Sequence, residues 1–143
     1  MSFDLKIENG DIKLSQDGLV DIVVDNQKLR QDIVKIMLTA LGENKYHPRY
    51  GSDVGSLTIG SVADQNLLEI DLESSAREAL RKLIALQSSQ GRRQFLSPGE
   101  RILSILGLSV ERDITDPRLY SIFISIQTGA ITTITESITV RLV

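Results

Sequence analysis

The chain has 143 residues, enough for one domain, and its 41% hydrophobic content excludes a disordered tail. With 16 basic and 19 acidic residues the formal charge is −3, which gives no electrostatic reason to expect nucleic acid or an anionic membrane as partner. Zero cysteines exclude disulfides and thiolate metal sites, and aromatics at 4% with no Trp leave the core to Ile, Leu and Val.

The N-terminal stretch "MSFDLKIENGD" is charged within a few residues and has no apolar signal segment. No apolar run approaches the roughly 18 residues of a membrane span. A soluble protein, used without export through a signal peptide, is expected. Phe3, Leu5 and Ile7 alternate with polar residues, Asn9-Gly10 supplies a hairpin turn, and Ile12 and Leu14 follow. A second turn, "QDG" at 16–18, leads into "LVDIVV" at 19–24. Residues 1–24 therefore read as a β-hairpin arm.

The period then changes. Leu29, Ile33, Ile36 and Ala40 share one helical face, which predicts a helix over 26–41. Asp25 or Asn26 is placed to cap it, and Gly42 to stop it. A Gly-, Ser- and Pro-containing loop occupies 42–60. A second helix is expected from about Asp64 to Gln87, with Leu68, Leu72, Ala76, Ala79, Leu83 and Leu86 as its stripe. Arg77, Glu78, Arg81 and Lys82 fall largely outside that stripe, as a solvated face. "SSQGRR" at 88–93 ends the helical part, 25–96, and "SPGE" at 97–100 is a turn.

Residues 97–143 read as a three-stranded antiparallel meander. Ile102, Leu106, Leu108 and Val110 mark the first strand; Tyr120, Ile122, Ile124 and Ile126 mark the second, with Phe123 on its other face. Ile134, Ile138, Val140 and Leu142 mark the third, between Thr133, Thr135, Ser137, Thr139 and Arg141. "DPR" at 116–118 and "TGA" at 128–130 are the turns. The fold class is α+β: one domain over 1–143, with two main helices packed on the meander.

Chemistry is hard to place on this chain. His47 is its single imidazole, and no GxSxG surrounds any serine. One His and scattered carboxylates do not match zinc spacings, so His47 reads as a loop anchor. No phosphate-cradling motif occurs, and "YGSDVGSLTIGS" lacks the lysine and the strand-loop-helix context. Glycoside hydrolysis needs two carboxylates roughly 5–10 Å apart, one with a raised pKa. Glu43 and Asp53 flank the first loop and Glu100 lies in the later turn. Acids in polar loops are ordinarily solvated, capping, or paired with neighbours such as Arg49 and Arg101. So few aromatics do not suit a sugar-stacking cleft. No cofactor is expected.

The stretch "LTALGENKYHPRYGSDVGSL" resembles the signature of the small baseplate wedge proteins of contractile phage tails. That family includes the T-even baseplate subunit labelled a tail lysozyme and a relative in type VI secretion baseplates. Thr39, Gly42, Glu43, Pro48, Tyr50 and Gly51 carry the match. Gly10-Asp11-Ile12, Gln31-Asp32-Ile33 and Leu38-Thr39 resemble the N-terminal half of related tail proteins from phages of Gram-positive hosts. Two departures stand out. Asn44 replaces a basic residue, and Ser97-Pro98-Gly99-Glu100-Arg101 replaces a Glu-Pro-Arg turn.

The resemblance implies a non-enzymatic structural subunit of the virion's tail baseplate, assembled in the host cytoplasm. It would be present in several copies with six-fold symmetry, and would touch other wedge subunits, the sheath protein, and tube or hub proteins. The joint loop would offer Glu43, Pro48, Arg49, Tyr50 and Gly51, and the second turn Glu100 and Arg101. Along the third strand, Thr135, Ser137, Thr139 and Arg141 would mark an edge for sheath strand addition. That strand reads equally as an open edge or a central strand. The alternatives are a baseplate-associated peptidoglycan hydrolase and a free-standing cytoplasmic domain.

Overall fold

The computed structural model describes residues 2–57 and 64–142. The elements run β1 (Phe3–Leu5), β2 (Ile7–Glu8), β3 (Asp11–Ile12), β4 (Ile22–Val24), α1 (Asp25–Leu38), α2 (Val54–Leu57), α3 (Gln65–Gln90), β5 (Ile102–Arg112), β6 (Leu119–Thr128) and β7 (Thr133–Arg141). This is the expected α+β order. The short helix α2 was not anticipated, and the tail of the expected loop, 58–60, lies outside the described residues.

Two helices cover one face of a β5-β6-β7 antiparallel sheet. Leu29, Ile33, Ile36 and Met37 from α1 and Leu68, Leu72, Leu80 and Leu83 from α3 meet Tyr120, Ile122, Ile124 and Ile126 in one core. Fully burying each such side chain stabilises by roughly 1.5–3 kcal/mol. β6 alternates without interruption because it is the central strand, paired on both sides.

β5 departs from the simple alternation. Register shifts between Ile102 and Ser104, and between Ile105 and Gly107, change its phase. Ile105 therefore packs on the core, and Leu106 is exposed. On α3, Leu80 joins the buried stripe, while Leu86 is left at the surface.

The expected ends of the first helix also move. Val24 is its N-cap, with no side-chain cap; Asp25 sits inside at φ 53° and accepts Ser97 Oγ at 2.6 Å. The helix stops at Thr39, whose hydroxyl donates to the Lys35 carbonyl at 2.7 Å. Gly42 serves a later tight turn, closed by Glu43 N donating to Ala40 O at 3.1 Å, and takes the positive φ that such a turn requires. Ala40 is consequently outside the helix and exposed.

The arm is a nested hairpin, with β1 on β4 and β2 on β3. Gln31 and Lys35 of α1 hold it. Gln31 donates to Asp4 Oδ2 (2.9 Å) and Leu5 O (2.7 Å), accepts from Ile7 N (2.9 Å), and Lys35 pairs with Asp4 at 2.7 Å. Val23 is buried against the domain, whereas Phe3, Leu5, Ile7 and Ile22 face outward and exposed. Among the described residues, no helix is long and apolar enough to cross a membrane.

Candidate functional site

The joint loop is shaped by its own backbone. Gly42 N donates to Pro48 O (3.1 Å), Tyr50 N to His47 O (2.9 Å), Leu41 N to Ser52 O (3.2 Å) and Ser52 N to Thr39 O (2.9 Å). The Asn44 side chain accepts from Tyr46 N (3.0 Å) and His47 N (3.1 Å) and so closes the turn. Ser52 Oγ donates to Met37 O at 2.6 Å and ties the loop to α1.

The expected contact residues divide here. Glu43, Pro48 and Arg49 are exposed; Glu43 also accepts from Ala40 N at 3.2 Å. Tyr50 is half-buried against the core, and burial, with Asp32 and Asp4 nearby, pushes its hydroxyl up to about 12. Gly51 is enclosed rather than exposed. At φ 114°, a Cβ there would stand 2.5 Å from Thr39 O, so it shapes the loop and offers no side chain to a neighbour.

The second turn differs more from expectation. Glu100 is 1% exposed, so it is not a surface contact. Its oxygens accept from the Ser2 hydroxyl, from Ser2 N (3.5 Å) and from Ser97 N (2.5 Å). Burial works against its charged form, but these bonds from Ser2 and Ser97, with the Lys28 ammonium nearby, hold its carboxyl below the usual range. Gln87 joins α3 to the same turn, donating to Glu100 O (2.8 Å) and accepting from Ile102 N (2.9 Å). Glu100 is thus an internal clasp between the N-terminal strand, α3 and the turn, while its neighbour Arg101 is exposed.

Among the described residues β7 is an edge strand. Thr128 N donates to Thr132 O and Leu142 N to Arg118 O, both at 2.8 Å. Antiparallel ladders bond alternate residues, so the even-numbered residues of β7 face β6. Thr135, Ser137, Thr139 and Arg141 then turn their N–H and C=O groups outward, and all four are exposed. One outward carbonyl is engaged: Arg30 of α1 donates to Thr135 O at 2.9 Å and pairs with Glu136. The register of β7 is unbroken from Arg141 to Thr133, and the strand has no Pro or Lys, whereas the other edge, β5, is bulged twice.

For chemistry the arrangement offers little. His47 is exposed and takes part through its backbone, not through an imidazole anchor. Glu100 is shifted in the direction opposite to that of a general acid. Among the described residues no group of His and carboxylates is clustered to hold a metal.

No protein-family model and no curated protein sequence matches the chain. The fold is similar to a crystal structure from Geobacter sulfurreducens described as a "putative tail lysozyme", with TM-score 0.61 and 15% identity, covering 81% of this chain and 89% of that one.

Proposed function

We propose that this chain is a structural subunit of a contractile-tail baseplate, joining wedge proteins and starting the sheath by strand addition along β7. The observation that carries the reading is the unbulged, outward-facing β7 edge, at the opposite side of the sheet from the doubly bulged β5. Natural sheets normally blunt such an edge, and a regular one suits an added strand. The Geobacter neighbour's description supports a tail role. A hollow of about 380 Å³ between the N-terminal arm and α1 reaches β7 at Glu136, where a side chain of an added strand can sit.

In this reading the 42–53 loop meets neighbouring wedge subunits through Glu43, Pro48, Arg49 and Tyr50, and Arg101 offers a separate exposed contact before β5. Tube or hub proteins are further neighbours in a six-fold particle, and the subunit resides in the virion. Catalysis is not assigned. The alternative of a peptidoglycan hydrolase rests on the neighbour's description alone.

Ser137→Pro tests the reading. Its N–H faces away from β6, so proline removes no ladder bond yet blocks an incoming strand. Folded protein and sheathless tails by electron microscopy are expected; full-length sheaths would overturn strand addition. Turnover of purified peptidoglycan by the isolated protein would instead favour the hydrolase.

A further inference from the structure

The joint loop and α3 enclose two adjoining hollows, of about 530 and 480 Å³, that share His47, Tyr50 and Leu86. Their cations are unevenly matched. Lys28 and Lys35 are already paired, with Asp32 at 2.6 Å and Asp4 at 2.7 Å. Arg49, Lys82 and Arg93 also line the hollows, and among the described residues none lies in an ion pair; Lys82 reaches only the Gly51 carbonyl, at 3.5 Å. Asp32 is the one acid in either lining. Among the described residues, three cations outside any ion pair thus line the two adjoining hollows, in a chain of formal charge −3.

Beside Arg49 and Lys82 lies an apolar patch, whereas Ser89, Gln90 and Gln94 neighbour Arg93. Pro48, Ala85 and Leu86 form the floor, and Tyr46, 86% exposed, stands at the rim. Lys82, Ala85, Leu86, Ser89 and Gln90 fall on one face of α3, and eight residues of helix span about 12 Å. That length suits about four extended residues or two helical turns. Exposed tyrosine beside an apolar floor and basic rim has the chemistry of a protein-binding surface.

We infer that this groove takes an acidic peptide segment of a partner protein, carrying an aliphatic or aromatic anchor that seats on Pro48, Ala85 and Leu86. An oligonucleotide is the weaker fit. Tyr46, His47 and Tyr50 offer rings for stacking, but three cations neutralise few phosphates, and the aliphatic patch of Pro48, Ala85 and Leu86 suits an apolar side chain better than a base. The inference stands on the groove's own chemistry, so its failure leaves the β7 reading intact, and the reverse.

The test uses the full chain and fluorescein-labelled glutamate-rich peptides of about ten residues, with and without a central leucine. Fluorescence anisotropy at physiological salt reads binding. The leucine-containing peptide is expected to bind, and the leucine-free one to bind more weakly. Arg49→Glu with Lys82→Glu is expected to weaken binding roughly tenfold or more. Arg81→Glu, on an exposed part of α3 outside the groove, is expected to leave it unchanged. No binding, equal loss in the Arg81→Glu control, or tighter binding of a labelled oligothymidylate overturns the inference. Circular dichroism of each variant separates loss of binding from loss of fold.

Discussion

Gly99 lies against the carboxylate of Asp25: a Cβ at position 99 would stand 2.2 Å from Asp25 Oδ1. That carboxylate is held by Ser97 Oγ at 2.6 Å, on a residue already at φ 53°, so it has little room to retreat. Gly99→Ala is expected to destabilise the protein by about 1–3 kcal/mol in urea unfolding. In an Asp25→Gly background the same change should cost markedly less, because the clash and the strained backbone are both gone. Equal costs in the two backgrounds would show that the contact is not what excludes a side chain.

Glu100 and Asp4 both give stability an acid limit. Each carboxyl lies below its ordinary value in the folded chain: burial opposes the charge, but Ser2 and Ser97 favour it on Glu100, and Lys35 and Gln31 on Asp4. A depressed folded pKa contributes stability that is present above the unfolded value of about 4 and lost as pH falls through the folded value. Urea midpoints measured from about pH 7 to about pH 3 should fall on the acid side, and Glu100→Gln should flatten part of that fall. At neutral pH, Glu100→Ala is expected to cost about 2–4 kcal/mol, since it strands the buried donors of Ser2 and the part-buried N–H of Ser97.

Ile131 adopts φ 60° in the turn between β6 and β7 while 75% exposed. A β-branched side chain pays a steric penalty there and recovers little by burial. Ile131→Asn should therefore stabilise by about 1 kcal/mol, raising Tm by roughly 4 °C in calorimetry. An unchanged or lower Tm would mean that the side chain packs usefully after all.

Tyr120 is wholly buried near the start of the central strand β6, and among the described residues its hydroxyl meets no hydrogen-bond partner. Tyr120→Phe removes an unsatisfied polar atom without changing the ring. Its unfolding free energy from urea titration should match or exceed the parent's, by up to about 1 kcal/mol. A loss above about 1 kcal/mol would point to a partner for the hydroxyl in solution.

What the sequence settled by itself were the features with a local cause. Apolar residues at helical spacing gave α1 and most of α3, and strict alternation gave β6 and β7, because each period is fixed by backbone geometry alone. The Pro48 and Gly51 spacing likewise marked a shaped loop. Contacts between distant segments decided the rest. Glu100 is internal because Ser2, ninety-eight residues away, folds onto it, and nothing near position 100 announces that. Leu106 faces out because β5 bulges against β6, a property of the pair rather than of either strand. The status of β7 as an edge is also a matter of assembly: its sequence suits either an edge or the centre of a sheet, and strand order among the described residues leaves its outward backbone groups without a partner strand. The groove at Arg49, Lys82 and Arg93 was illegible for the same reason, since a loop and the distant end of α3 together supply its charge.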